Sequence, residues 1–399
     1  MTAASEQPKR ALLLSGSLGM GHDVMAEACA LSLRRRGWLT ETMDSLRLMG
    51  HTAGGLGERT FRALLAVPGV YDAFHFEQLR QDGRLARLAE RASSKYAVPA
   101  LRTELARRPV SLLVSVFATG AAAASRLKAE HPGLITAVFC TDVCPHRLWV
   151  HDNTDLYLVT SQTARRFVWR FQPGACVVVV PAPVRPQFYA APTQQDARRE
   201  LGVPTGAPCV LLMAGSWGVG ALVELAEALA DAGVYTLTVA GRNASLAAAL
   251  RASQARHERL VPFGFTDRIP ALMAAADVVI TSSGDTCSEA RVIGRQLLLL
   301  DVVPGHGREN LQHELERGDA DVAPTDPAGL RRSVLACLER VQPPQARIAQ
   351  QPTAWEEAFE AALARVGLTS LGGAGGAGGL GSAGGLGGAG GLGGAGSPS

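Results

Sequence analysis

The chain has 399 residues, 47% of them hydrophobic and 5% aromatic, and 39 basic against 36 acidic residues leave a formal net charge of +3. That length accommodates two domains with full cores, and so balanced a charge argues against a nucleic-acid binder. The polar first ten residues predict no secretory leader, no apolar run reaches the length of a membrane span, and the seven scattered cysteines predict buried reduced thiols. Cys140 and Cys144 form a C-x3-C, but no second pair completes a zinc site.

Residues 11–14 read as a short buried strand. Ser15-Gly16-Ser17-Leu18-Gly19-Met20-Gly21-His22 follows, then a helix over about 23–36 with Met25, Ala26, Cys29 and Leu33 on one face. This strand, glycine turn and helix resemble a dinucleotide fingerprint without its spacing. His22 stands where the turn meets the helix. The positive end of the helix dipole disfavours a protonated imidazole there, which suits a general base; the alternative is a histidine that only caps the helix.

From 46 to 85 the pattern loosens, and apolar and aromatic residues such as Phe61, Tyr71, Phe74 and Phe76 alternate with Arg59, Arg62 and Arg80. This is either an amphipathic lid that touches a membrane or lipid acceptor, or a helical excursion packed on the core. Residues 86–108 predict a helix, 110–116 a strand, and Thr119-Gly120 opens another helix. A strand over 135–140 runs into Thr141-Asp142-Val143-Cys144-Pro145-His146-Arg147-Leu148-Trp149-Val150-His151, and further short strands follow at 155–159 and 176–180. Asp142, His146 and His151 are candidates for a metal, although the spacing fits no closed structural site. Equally, Asp142, His146 and Trp149 are candidates for a glycan or head-group surface. Pro181, Pro183 and Pro186 make a stiff exit from this half.

The second half restarts the same grammar. A strand over 209–213 leads into the glycine-rich turn Gly215-Ser216-Trp217-Gly218-Val219-Gly220 and a helix over 221–232. A strand over 235–240 ends in Gly241-Arg242-Asn243, and 260–265 is a short strand and turn containing Gly264 and Phe265. Then comes a strand ending at Ile280, the polar loop Thr281-Ser282-Ser283-Gly284-Asp285-Thr286, and a helix with Glu289 in its first turns. Amides around Gly284 to Thr286 suit a phosphate, and Glu289 suits the paired hydroxyls of a ribose; a capped helix with a solvated Glu is the alternative. One more strand, 296–300, ends in Val303-Pro304-Gly305-His306-Gly307-Arg308-Glu309-Asn310. The organisation expected is α/β, with two Rossmann-like domains facing a cleft: residues 1–187 binding the acceptor and 188–345 the donor. A helical segment at 346–370 is expected to pack back across the cleft, and 371–399 is an uncharged Gly/Ala/Leu tail too poor in volume for a core.

The ordered set of motifs resembles the monogalactosyldiacylglycerol synthase and processive diacylglycerol glucosyltransferase family. The resemblance rests on Gly19-Met20-Gly21-His22; on Thr141, Asp142, His146, Trp149, His151, Asp155 and Tyr157; on Gly241-Arg242-Asn243 and Gly264-Phe265; on Thr286, Glu289 and Ala290; and on Pro304, Gly305 and Asn310. It implies a GT-B fold and inverting transfer of a hexose from a UDP-sugar to a lipid such as diacylglycerol. It also implies no cofactor and no required metal, and a cytoplasmic chain peripheral to the inner face of an anionic membrane. By the same resemblance His22 is the base, and Gly19, Gly21, Asp142, His146 and Trp149 line the acceptor side. Gly215, Ser216, Arg242, Gly264, Phe265, Asp285, Thr286, Glu289, His306 and Asn310 line the donor side. Three positions depart from the family pattern: Asp285 where glycine is usual, His306 where a sugar-reading glutamine is usual, and Trp217 in place of a small residue. A polyprenyl-linked or small hydrophobic acceptor is the second enzyme reading, and a catalytically impaired sugar-nucleotide or lipid-binding protein the third.

Overall fold

The computed structural model describes residues 9–16, 20–49, 68–213, 222–340 and 353–368. Within them the chain forms two parallel six-stranded sheets. The first takes β1 (Arg10–Ser15), β2 (Leu39–Asp44), β3 (Leu112–Ser115), β4 (Ile135–Phe139), β5 (Leu156–Val159) and β6 (Val177–Val179) in the order β2-β1-β3-β4-β5-β6. The second takes β7 (Cys209–Met213), β8 (Tyr235–Val239), β9 (Leu260–Phe263), β10 (Val278–Thr281), β11 (Gln296–Leu300) and β12 (Ala320–Ala323) in the order β12-β11-β10-β7-β8-β9. Helices cover both faces, so the inner strands need no polar alternation. Leu12, Leu13 and Leu14 on β1 and Val278, Val279 and Ile280 on β10 are all buried. The helix Met20–Arg34 brings Met25, Ala26, Cys29, Ala30 and Leu33 into one cluster with Leu13 and Val114. Full burial of a Leu or Met side chain is worth about 1.5–3 kcal/mol.

Two strands, β2 and β12, carry no strand signal in the sequence. They are the outer edges of their sheets, and their side chains remain largely exposed or half-buried. An edge strand pairs on one side only and needs no apolar run to do so. The segment 46–85 is described in part. Residues 50–67, including Arg59 and Arg62, lie outside the described residues. Beyond them, a helix at Pro68–Ala73 continues as a π-helical turn at Phe74–Leu79. It bonds to the second domain, with Tyr71, His75 and Leu79 buried and Val70 and Phe76 exposed.

The helix Ala354–Ala364 follows the second sheet in sequence but is buried against the first. Its Trp355 stacks on Phe139 (5.3 Å between centroids) and on Phe359 (5.1 Å), while Arg36 pairs with Glu360 at 2.5 Å. In an open parallel sheet the ligand crevice opens beyond the strand C-termini, where the strand order reverses. The reversal falls between β1 and β3 in the first sheet and between β7 and β10 in the second. The site is built there.

Candidate active site

His22 lies in the first turn of the helix that leaves β1. Its Nδ1 is 2.9 Å from the Val116 carbonyl oxygen, just beyond β3. A carbonyl can only accept, so Nδ1 carries the proton and Nε2 keeps the free lone pair. Phe117 packs edge-on against the ring at 4.9 Å and 73°, and Ser15 Oγ donates to Asp23 Oδ1 at 2.5 Å, tying the helix start to the end of β1. Burial pushes the imidazole pKa below its ordinary value, and the charge of Asp142 and the Val116 bond oppose that shift without reversing it. Burial is the largest cause of the shift, and His306 adds to it.

The loop after β4 supplies Asp142. Trp149 Nε1 donates to its Oδ2 at 2.9 Å. His146 Nδ1 accepts from the Leu148 amide at 3.3 Å, which leaves the proton on Nε2, 3.7 Å from the same carboxylate oxygen. Burial alone would raise the Asp142 pKa, but the adjacent His306 and His146 rings and the Trp149 indole N–H together hold it below the usual range. Burial takes His146 down to about 3 and also lowers His306. At neutral pH the cluster therefore holds one charge, on Asp142, among uncharged rings. His151 turns elsewhere: its Nε2 donates to the Leu148 carbonyl at 2.9 Å, and its Nδ1 lies 3.8 Å from Glu90. Asp142, His146 and His151 do not converge, and among the described residues no three His, Cys, Asp or Glu side chains are grouped to hold a metal ion. All seven cysteines are free thiols.

On the second sheet, the helix Asp285–Ile293 starts from Gly284 without a side-chain cap. Glu289 is buried, and its Oε1 accepts from Arg185 twice, from Nε at 3.0 Å and from Nη2 at 2.8 Å. Arg185 was not foreseen from the sequence. A lone basic residue between Pro183 and Pro186, in a stiff segment crossing from one sheet to the other, is the signal that marks it. Burial pushes Glu289 up to about 7 despite Arg185, and pushes Asp285 up to about 6. Thr286 is half-buried on the same first turn. Beyond β8 and β9, the Arg242 guanidinium lies 4.9 Å from the centroid of the exposed Phe265 ring, and Gly264 has open space around it. The loops after β9, β8, β10 and β11 thus line one sheet edge. Gly19, Gly215 and Ser216 lie outside the described residues, so the turn after β7 completes that edge only in sequence.

The two edges face each other in contact. A Cβ on Gly21 would lie 2.6 Å from Asp285 Oδ2, so any side chain there would displace the Asp285 carboxylate where the two helices meet. The Val143 amide donates to Asn310 Oδ1 at 3.2 Å, and Tyr71 Oη lies 3.1 Å from His306 Nδ1. His22, Asp142, His146, Trp149 and His306 form one cluster, with Asp285 and Glu289 beside it. Arg242 and Phe265 lie further along the second edge.

Residues 36–170 match the family model of monogalactosyldiacylglycerol (MGDG) synthase. By sequence, the chain resembles the MGDG synthases. It is 34% identical over 187 residues to the processive diacylglycerol beta-glucosyltransferase of Bacillus pumilus, covering 46% of this chain and 49% of that one. It is 31% identical over 222 residues to the probable monogalactosyldiacylglycerol synthase 2 of Oryza sativa subsp. japonica, covering 51% and 46%. The chain thus spans about half the length of these curated relatives. The family match includes the Asp142 block but neither His22 nor Glu289. Among solved structures, the calicheamicin glycosyltransferase superposes with a TM-score of 0.57 at 16% identity, over 90% of this chain and all of that one. At such identity the likeness is of fold, and the fold is GT-B: two parallel α/β domains across a cleft.

Proposed function

We propose that the chain is an inverting glycosyltransferase that moves a hexose from a UDP-sugar onto a hydroxyl of a lipid such as diacylglycerol. The observation that carries this reading is the His22 ring, neutral, with Nδ1 committed to the Val116 carbonyl and Nε2 free at a cleft between two GT-B domains. In the step proposed, Nε2 takes the proton of the acceptor hydroxyl. That oxygen attacks the anomeric carbon from the face opposite UDP, and the bond from carbon to diphosphate oxygen breaks as UDP leaves. The first turn of the helix Asp285–Ile293 and neighbouring arginines would neutralise the departing charge without a metal. Glu289 would hold the ribose once Arg185 yields one of its bonds, and Phe265 would flank the uracil.

A lipid acceptor requires a surface that meets lipid. Among the described residues no helix is long and apolar enough to cross a membrane. The first turns of the helix Arg84–Arg107 instead expose Leu85, Leu88 and Tyr96 beside Arg84, Arg87, Arg91 and Lys95. Apolar side chains ringed by cations support peripheral contact with an anionic membrane at the cytoplasmic face.

A second reading, a sugar-nucleotide or lipid-binding protein without turnover, is favoured by Asp285. A carboxylate beside a phosphate charge repels it and weakens binding. Calorimetric titration with UDP decides whether the donor site exists: the wild type is expected to bind, and Glu289→Ala to abolish the heat. Absence of binding in the wild type overturns the donor site. Binding without transfer to any lipid tested, diacylglycerol included, favours the second reading.

A further inference from the structure

We propose that Tyr71 and Asp72, on the first domain, are positioning residues for donor-sugar recognition. They fix the turn at Gly305 and His306 of the second domain and the ring nitrogen that His306 turns to the cleft. This rests on the reading above, in which the second domain holds the donor.

The start of the helix His306–Glu316 takes its shape from the other domain. Gly305 has φ +61°, and a Cβ there would lie 2.4 Å from Tyr71 Cε1, so both the backbone and the tyrosine ring demand glycine. The Gly305 amide donates to Asp72 Oδ1 at 2.6 Å, and Asp72 Oδ2 receives Arg308 Nη1 at 2.8 Å. Glu309 accepts from His75 Nε2 and from Arg80 Nε, each at 2.9 Å. Positions 71, 72 and 75 lie within one turn and share a helical face. The first domain therefore holds this turn in place, which ties sugar recognition to the contact between the two domains.

Tyr71 contributes the chemistry. Its hydroxyl lies 3.1 Å from His306 Nδ1. With the hydroxyl donating, Nδ1 accepts and the ring proton sits on Nε2. His306 then offers a hydrogen-bond donor to the cleft, suited to a sugar hydroxyl in one orientation and not to its epimer.

The test uses Tyr71→Phe, which keeps the ring on Gly305 and removes only the hydroxyl. The expected result is a wild-type His306 with a single Nε2–H tautomer by 15N NMR, and a mixture in the variant. UDP affinity should stay within about twofold, while the ratio of UDP-glucose to UDP-galactose affinity moves about fivefold towards one, as the loss of one neutral hydrogen bond would give. An unchanged tautomer together with an unchanged ratio overturns the proposal. Asp72→Ala provides a second measurement: exchange of the Gly305 amide should accelerate at least tenfold, and an unaltered rate overturns the role of Asp72. If the wild type binds neither UDP nor a UDP-sugar, the donor reading fails instead, and the tautomer and exchange rate still decide whether Tyr71 and Asp72 hold the turn.

Discussion

Two carboxylates face the same cleft and meet opposite fates. On the first domain, Asp142 is held ionised by the adjacent His306 and His146 rings and by the hydrogen bond from the Trp149 indole N–H. On the second, Asp285 is half-buried with only the charge of Arg185 to favour ionisation, and loss of water raises its pKa to about 6. Both lose water. What differs is what replaces it, and that sets how readily each acid takes up a proton. The first edge thus holds its negative charge firmly beside a neutral base, while the second gives up its charge once the pH falls below about 6.

The largest effect expected from breaking this arrangement is at the base. His22→Ala should lower transfer by about 10²–10⁴-fold, the usual contribution of a general base, while UDP binding on the opposite edge persists. Turnover that survives the change removes His22 from the chemistry. A smaller effect, and a sharper one, concerns the meeting point of the edges. Gly21→Ala places a methyl 2.6 Å from Asp285 Oδ2 and should reduce transfer by about tenfold by turning that carboxylate out of its place between the helices. Alanine is better than glycine inside a helix by about 1 kcal/mol, so local helix loss would not explain the defect. Adding Asp285→Gly should restore activity. A double variant as impaired as Gly21→Ala alone would show that the two helices do not approach each other during transfer.

Asp285→Asn isolates the charge from the shape. An acid with a pKa near 6 is neutral below that pH and charged above it. The amide should therefore bind UDP-glucose about tenfold more tightly than the wild type at pH 8, and almost equally at pH 5. Calorimetry at the two pH values reads the difference, which corresponds to about 1.4 kcal/mol. Equal affinities at pH 8 would mean that the carboxylate does not face the diphosphate.

Most of the architecture was legible because its signals are local. Leucine runs such as Leu12-Leu13-Leu14 mark strands covered on both faces, and the positions of His22 and Glu289 after such runs put them at the sheet edge. The edge strands β2 and β12 were not legible, since exposure relieves them of any apolar pattern. Nor were the partners that meet only across the cleft. Nothing near Glu289 in sequence indicates Arg185, 104 residues away, and Tyr71 and His306 lie 235 residues apart. His151 shows the converse: it sits beside the Asp142 block in sequence, yet its ring turns away to Leu148 and Glu90.

The remaining effect expected is on stability rather than on turnover or donor affinity, and it concerns the groups around Asp142 itself. Trp149→Phe keeps a large ring in the core and removes the N–H that reaches Asp142 Oδ2 at 2.9 Å. A carboxyl whose folded pKa is depressed contributes stability above its unfolded pKa, and that stability disappears as pH falls through the folded value. Losing one of its donors should raise the Asp142 pKa and cost about 1.5–3 kcal/mol at pH 7, the range for a hydrogen bond to a charged group. At pH 2 to 3, where the acid is protonated in the unfolded chain and increasingly so in the folded one, the variant and the wild type should draw together. Urea midpoints across that range, with the 13C titration of the Asp142 carboxyl, measure both halves of the expectation. A pH-independent difference between the two proteins would assign the role of Trp149 to packing alone, and the charge on the first edge would then have to be held by the histidines.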